Sequence, residues 1–155
     1  MGGVEIREAT MDDLPRIVKL MAEDTLGRSR EDFSVPLKAC YVEAFKNISE
    51  DKNSILLVAC ENGEVVGSLQ VTFTQYLSHE GSRRATIENV HVFEKCRNRG
   101  VGTQLMCHAI SLAKDEKCSI VQLTSNKSRK DAHRFYERIG FRATHEGMKL
   151  SLERC

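Results

Sequence analysis

The chain has 155 residues, of which 41% are hydrophobic and 29% are charged. These values fit one globular domain that buries most of its apolar surface, and no stretch approaches the length of a membrane span. The 23 Lys and Arg residues balance 22 Asp and Glu residues, which excludes a broad basic field for nucleic acid binding.

The first third of the chain predicts one strand and two helices. Residues 4–7 indicate a short strand, and Thr10 offers a helix N-cap with Asp13 at the capping-box position. The helix that follows carries an apolar stripe of Leu14, Ile17, Val18 and Met21. A second helix is predicted to begin near Pro36 and to run toward Ile48, because proline is favoured in the first turn of a helix.

A β-hairpin is predicted in the middle of the chain. A continuous apolar run extends from Ser54 to Cys60, and Asn62-Gly63 follows it as a strong two-residue turn signal. The segment from Val65 to Phe73 then alternates between apolar and more polar residues, which is typical of a strand with one core face.

The second half of the chain alternates strands and helices. Its predicted elements are a strand over 85–93, a helix from Val101, a strand over 120–124, a helix over 129–139 and a closing strand pair over 141–152. The whole order, β-α-α-β-β-β-α-β-α-β, predicts a single α/β domain over residues 1–155.

The junction between the strand over 85–93 and the next helix carries the main functional signal. It reads Arg97-Asn98-Arg99-Gly100-Val101-Gly102-Thr103. A helix N-terminus presents unpaired N–H groups and the positive end of the helix dipole, and glycines let a phosphate approach the main chain closely. Arg97 and Arg99 add charge-assisted donors. The junction therefore predicts a pyrophosphate-binding site, or else a helix that merely starts with glycines.

Two other glycine motifs do not fit this junction. The dinucleotide-binding fingerprint needs a third glycine, but position 105 is Leu105. The phosphate loop of nucleotide hydrolases needs a lysine after its last glycine, whereas Gly102 runs directly into Thr103.

What remains is Arg-x-x-Gly-x-Gly, which resembles the coenzyme A pyrophosphate loop of the Gcn5-related N-acetyltransferase (GNAT) superfamily. Downstream, Ala132-x-x-x-Tyr136-x-x-x-Gly140-Phe141 is similar to the second signature of that family, and the segment from Ile87 to Val92 resembles the strand that leads into its loop. The three motifs occur in the family's order. The resemblance covers about positions 54 to 152.

The resemblance implies a mixed central sheet of about six to seven strands flanked by about four helices, with a cleft between strands four and five. It implies acetyl-CoA as the acetyl donor and no metal. The residues expected to bind acetyl-CoA are Val90, His91, Val92, Arg97, Asn98, Arg99, Gly100, Val101, Gly102, Thr103, Asn126 and Phe135. A backbone N–H near Val90 to Val92, where the family strand bulges, is the expected donor to the oxyanion.

Two side chains are the expected catalytic groups. Tyr136 matches the family's motif tyrosine and would protonate the departing thiolate, since the reference pKa of a phenol, about 10, lies only slightly above that of a thiol. Its alternative role is core packing. Glu88 would accept the proton of the amine, and its alternation with Val90 and Val92 predicts that it shares their face of the sheet. A solvated glutamate is the alternative, and His91 and His133 are rival bases.

The resemblance is closest to members that acetylate small metabolites, such as aminoalkylphosphonate and glucosamine-6-phosphate acetyltransferases. We therefore expect an N-acetyltransferase acting on a small-molecule primary amine by direct attack in a ternary complex. A protein lysine or N-terminal acetyltransferase and a non-catalytic acyl-CoA sensor are the alternatives. The six cysteines form no C-x-x-C pair, which together with the lack of a signal segment predicts a cytoplasmic protein. We expect no nucleic acid and no membrane partner, and a homodimer is compatible with this interpretation.

Overall fold

The computed structural model describes residues 2–152 and forms an α/β fold around a mixed five-stranded sheet of order β1-β2-β3-β4-β5. The strands are β1 (Glu5–Glu8), β2 (Ser54–Glu61), β3 (Glu64–Gln75), β4 (Arg83–Val92) and β5 (Cys118–Leu123). β1 to β4 pair antiparallel. β5 follows a helical crossover, the connection that a parallel neighbour requires.

The helices are α1 (Leu14–Glu23), α2 (Ala39–Glu50), the short turn α3 (Ser78–Gly81), α4 (Val101–Asp115) and α5 (Lys130–Arg138). The predicted capping box is confirmed: Asp13 Oδ2 accepts hydrogen bonds from Thr10 N at 2.7 Å and from Thr10 Oγ1 at 3.1 Å. A short 3₁₀ segment, Met11–Asp13, stands between this cap and α1. α2 begins later than predicted, at Ala39 and not near Pro36.

The predicted hairpin is confirmed between β2 and β3. Asn62 and Gly63 have φ angles of 51° and 80°, so both central residues of this two-residue turn are left-handed, as a type I′ turn requires. The turn pairs Glu61 with Glu64, and beyond a register shift between Ala59 and Cys60, Val58 lies opposite Ser68 and Leu57 opposite Leu69.

The two faces of the sheet pack against different helices. On the face that contains Val58, the core includes Ile17, Leu14 and Val18 of α1 and Phe45 of α2. On the other face, Gly67 of β3 lies close to Val101 and Leu105 of α4. Both faces of the centre of β3 are therefore buried, which its alternating sequence did not predict.

Backbone contacts separate two compact units, Met1–Gln122 and Leu123–Cys155. In the second unit, the predicted closing strand pair over 141–152 is wrong, since the structure has no strand there. Met148, Leu150 and Leu152 are 96%, 87% and 82% exposed, so the apolar alternation that suggested a strand is not buried. Over residues 2–152 the sheet accordingly has five strands, where the family resemblance implied about six to seven. In the described residues 2–152, no helix is long and apolar enough to cross a membrane.

Candidate active site

A β-bulge interrupts β4 at the position where the sequence predicts an exposed backbone donor. Glu88 lies opposite Gln70 of β3 and His91 lies opposite Ser68, so that Asn89 and Val90 face Leu69 alone. Asn89 has a φ of 54°, a left-handed conformation that asparagine adopts more readily than most residues. An extra residue of this kind leaves the ladder locally unpaired and bends the strand.

The bulge changes which β4 side chains share a face, and it corrects one sequence-based expectation. Before the bulge Glu88 is opposite Gln70, and after it His91 is opposite Ser68, whereas Val92 is opposite Gly67. Side chains two residues apart on β3 share a face, so Glu88 shares its face with His91 and not with Val92. The expectation that Glu88 shares a face with Val92 is wrong, because the extra residue reverses the alternation.

Glu88 is exposed, while His91 is buried at 8% relative exposure. Their face of the sheet is the one that α1 covers, because Ser68 lies opposite Val58 and Val58 packs against Ile17. The polar side chains on this face include the exposed Glu88, the half-buried Gln70 and the buried His91. α4 packs on the opposite face, so a small polar molecule approaching β4 would meet Glu88 on the α1 side.

One contact shows where the end of β5 lies along β4. Gln122 Nε2, one residue before the end of β5, donates a hydrogen bond to Thr86 Oγ1 at 3.1 Å. Because the two strands are parallel, the part of β4 that carries Glu88 and the bulge continues beyond the end of β5. This arrangement supports the predicted cleft beside strand four, which stays a prediction.

The glycine junction begins α4 as predicted. Asn98 and Gly100 have φ angles of 60° and 83°, and Gly100 is the N-cap of α4 without a side-chain capping bond. The first N–H groups of the helix are therefore not taken by a cap side chain, and successive N–H groups at a helix start form a concave anion site. The junction fits a pyrophosphate.

The two arginines of the junction anchor it to the sheet. Arg97 Nε donates a hydrogen bond to Val92 O at 3.1 Å, and Arg99 Nη2 donates one to Glu61 Oε1 at 2.5 Å. The first bond holds the loop at the end of β4, and the second ties it to the end of β2. The sequence predicted cations here but did not reveal these partners.

Gly67 is a residue whose importance the sequence did not reveal. A Cβ atom at this position would lie 3.0 Å from Leu105 Cδ1 and 3.1 Å from the carbonyl oxygen of His91. The missing side chain lets α4 approach β3 and β4 next to the bulge. A glycine within a strand pattern can signal such a close approach, but only the position of α4 shows that it occurs here.

In the second unit, Tyr136 is half-buried in an aromatic cluster on α5. Its ring centroid lies 5.2 Å from that of Phe135 and 6.0 Å from that of Phe141. Burial raises the pKa of Tyr136 above its ordinary value, and the nearby Arg129 opposes this shift. The phenol therefore remains protonated across the neutral range, as a proton donor must.

Asn126 and His133 organise the start of α5. The Asn126 Oδ1 atom accepts hydrogen bonds from Ser128 N at 2.9 Å and from Ser128 Oγ at 2.7 Å, and His133 Nε2 lies 3.0 Å from Asn126 O. These contacts match the turn role that was the alternative for Asn126. Its bond to the cofactor and the role of His133 as a base stay predictions.

The cysteines and acidic groups do not suggest another chemistry. Burial raises the pKa of the Cys60 and Cys118 thiols, which disfavours the reactive thiolate form. Within the described part of the chain, no cluster of three or more His, Cys, Asp or Glu side chains is arranged to hold a metal ion.

Comparisons with known proteins agree with this arrangement. The model of the Acetyltransferase (GNAT) family matches residues 22–141. An aminoalkylphosphonate N-acetyltransferase of Salmonella typhimurium is 29% identical over 141 residues, which are 91% of this chain and 86% of that protein. The crystal structure of a transcriptional regulator from Bacillus halodurans has a TM-score of 0.95 at 53% identity and covers 97% of this chain and 100% of that one.

The glucosamine-6-phosphate N-acetyltransferase of Arabidopsis thaliana has a TM-score of 0.79 at 20% identity, with 97% of this chain and 99% of that chain covered. This likeness shows a shared fold alone. The family model spans the strand, the bulge, the glycine junction and the tyrosine motif together. The chain therefore belongs to the GNAT family and is an N-acetyltransferase of that family.

Proposed function

We propose that the enzyme transfers the acetyl group of acetyl-CoA to a primary amine of a small metabolite, by direct attack within a ternary complex. The observation that carries this proposal is the junction at Gly100, where left-handed backbone and an uncapped helix start offer N–H groups to a pyrophosphate. The GNAT family uses acetyl-CoA, and the residues at this junction fit it.

The expected binding residues form one continuous stretch. Val90 to Val92 would contact the pantetheine arm through the main chain, and Arg97 to Thr103 would hold the pyrophosphate. Asn126 and Phe135 are the remaining residues that we propose as contacts of acetyl-CoA. Bound acetyl-CoA supplies an acetyl thioester, and the chain supplies position and proton transfer.

Three groups would act on the reacting atoms. Glu88 takes a proton from the acceptor ammonium, directly or through a water molecule, which leaves a neutral amine that can attack. A backbone N–H at the bulge around Asn89 and Val90 donates to the carbonyl oxygen as negative charge develops there. As the carbon–sulfur bond breaks, Tyr136 gives its proton to the departing sulfur, and the raised pKa of this phenol keeps that proton available. The new amide nitrogen loses its extra proton to the tyrosinate through water, which restores the phenol.

Direct attack is favoured over a covalent acetyl-enzyme. A cysteine nucleophile needs a thiolate, and the thiols of Cys60 and Cys118 have pKa values raised by burial. The five cysteines among the described residues are all free thiols, so a disulfide does not control their reactivity.

An amine that carries an anionic phosphorus group is the proposed acceptor class. The relative from Salmonella typhimurium is an aminoalkylphosphonate N-acetyltransferase. Two arginines at the start of β4 already have partners: Arg83 donates hydrogen bonds to Glu116 and Asn53, and the guanidinium of Arg84 lies over the Tyr76 ring. Arg28 is exposed in the turn after α1, and we propose it as the group that meets the anion.

A second candidate function is an acyl-CoA-binding regulator without turnover. The relative from Bacillus halodurans at 53% identity is a transcriptional regulator, and this observation favours the candidate. Such a protein would bind acetyl-CoA and release no coenzyme A with any amine. The presence of Tyr136 favours the enzyme.

Replacement of Gly102 tests the cofactor site. Gly102→Val places a branched side chain at the helix start that the pyrophosphate must approach, so acetyl-CoA affinity should fall by about a hundredfold or more while the fold survives. Gly3→Ala is the control, since a Cβ there meets no atom within 4 Å. Near-parent affinity of the Gly102 variant in calorimetry would refute the assignment.

A further inference from the structure

His91 and Asp24 form a buried contact between β4 and the end of α1. The His91 Nδ1 atom lies 3.9 Å from Asp24 Oδ1, and the two side chains are 7% and 10% exposed. His91 is the residue that follows the bulge, and it shares a face of the sheet with Glu88. A carboxylate and an imidazole are therefore enclosed together beside the proposed base.

Asp24 also builds the turn that follows α1. Its Oδ2 atom accepts a hydrogen bond from Leu26 N at 3.2 Å, and its backbone oxygen accepts from Gly27 N at 2.9 Å and Arg28 N at 3.0 Å. A Cβ atom at Gly27 would lie 2.0 Å from Met21 O. The turn over 24–28 is thus closely packed, and three of its backbone N–H groups are bonded to Asp24.

This turn lies on the side of the sheet where an acceptor would approach. α4 packs on the opposite face of β3, close to Gly67, whereas Glu88 is exposed on the face of His91. His91 therefore links two parts of one surface, the strand that carries Glu88 and the turn that carries Arg28.

Resting on the function proposed above, we propose that His91 and Asp24 are positioning residues for the acceptor amine. Their contact holds the turn over 24–28 against β4, so that this turn forms one wall of the acceptor site beside Glu88. Neither side chain takes part in proton transfer. The pair governs the binding of the acceptor and leaves the binding of acetyl-CoA, which depends on the junction at Gly100, unchanged.

The test uses Asp24→Asn, His91→Gln and the double variant. Asp24→Asn preserves shape and an oxygen acceptor for Leu26 N but removes the charge, so it remains informative if the substitution of buried His91 prevents folding. Glu23→Gln is the matched control, because Glu23 is the exposed neighbour of Asp24 at the end of α1. Acceptor KM and kcat, acetyl-CoA Kd and the thermal midpoint are measured for each.

We expect each single variant to raise acceptor KM by about tenfold. Asp24→Asn, which lies outside the expected acetyl-CoA contacts, should keep kcat, acetyl-CoA Kd and the thermal midpoint close to the parent values. The double variant should resemble the single ones, because side chains that act as a unit do not have additive effects. The control should leave all four quantities unchanged.

Two results overturn this proposal and leave the proposed function intact: active variants with the parent's acceptor KM, or an Asp24→Asn variant whose acetyl-CoA affinity and thermal midpoint fall together with acceptor binding. A parent protein that binds acetyl-CoA but acetylates no amine overturns the proposed function as well. The parent's turnover therefore distinguishes the two failures.

Discussion

The guanidinium of Arg99 donates a hydrogen bond of 2.5 Å to the carboxylate of Glu61. The pair joins the proposed pyrophosphate loop to the last residue of β2. Arg99 is 52% exposed and Glu61 is 18% exposed, so the arginine remains accessible to an anion while the carboxylate holds it at the loop. Glu61 thus orients Arg99, and in the proposed complex it would also compete with the pyrophosphate for the guanidinium.

Glu61→Gln is expected to strengthen acetyl-CoA binding. The change removes a negative charge next to a site for an anion, and an exposed ion pair contributes too little for its loss to harm the fold. We expect acetyl-CoA Kd to fall by about two- to fivefold at low salt, with a smaller difference at high salt because screening weakens both attractions. Calorimetry at two salt concentrations measures this change.

Glu43→Gln on the exposed surface of α2 is the control for the general loss of one negative charge. Weaker binding by the Glu61 variant would show that orientation of Arg99 matters more than competition.

Gly67→Ala is expected to destabilise the protein. The added methyl group would meet Leu105 Cδ1 at 3.0 Å and the backbone oxygen of His91 at 3.1 Å, and the backbone of β4 yields less easily than a side chain. Overpacking of this kind costs about 1–3 kcal/mol, which urea unfolding can measure. An equally stable variant would mean that α4 shifts without cost.

Local signals and long-range contacts explain which features the sequence could predict. The Thr10 and Asp13 cap and the Asn62-Gly63 turn depend on neighbouring residues, so their positions followed from the sequence. The position of the helix start at Gly100 also followed from the sequence, because it depends on neighbouring residues. The family resemblance further indicated a bulge near Val90.

Other features depend on partners that are distant in the chain. The face of Glu88 was assigned wrongly because alternation assumes an unbroken ladder, and the bulge is visible only in the register with β3. The Arg99–Glu61 pair spans 38 residues, and the role of Gly67 depends on where α4 packs. The segment over 141–152 has the pattern of a strand, but Met148 and Leu150 are not buried.

Glu88→Gln separates proton removal from packing. Without the carboxylate the free amine must form in solution, where an alkyl amine with a pKa of about 10 is mostly protonated at neutral pH. We expect the rate at neutral pH to fall by about a hundredfold. The rate should recover as the pH approaches the pKa of the amine. The dependence of kcat/KM on pH measures this, and an unchanged profile would assign the base to His91, His133 or solvent.

Tyr136→Phe removes only the hydroxyl group and keeps the contacts with Phe135 and Phe141. Turnover should fall by about 10²- to 10⁴-fold, the range for general acid catalysis, with acetyl-CoA affinity little changed. Because burial raises the pKa of Tyr136, the protonated donor persists as the pH rises, and any alkaline loss of rate due to this group should begin only above about pH 10.

In the Tyr136→Phe variant, the residual rate should not show the alkaline loss that is due to the phenol. Parent-like turnover in that variant would return Tyr136 to a packing role.

The central claim is that a primary amine is acetylated at the expense of acetyl-CoA. Release of coenzyme A is measured with 2-aminoethylphosphonate and with ethylphosphonate, which keeps the anionic group and lacks the amine. The account predicts release with the amine alone, in equal amount to an acetylated product detected by mass spectrometry. Binding of acetyl-CoA without release of coenzyme A for this amine or for a panel of amino sugars, polyamines and peptides would contradict it.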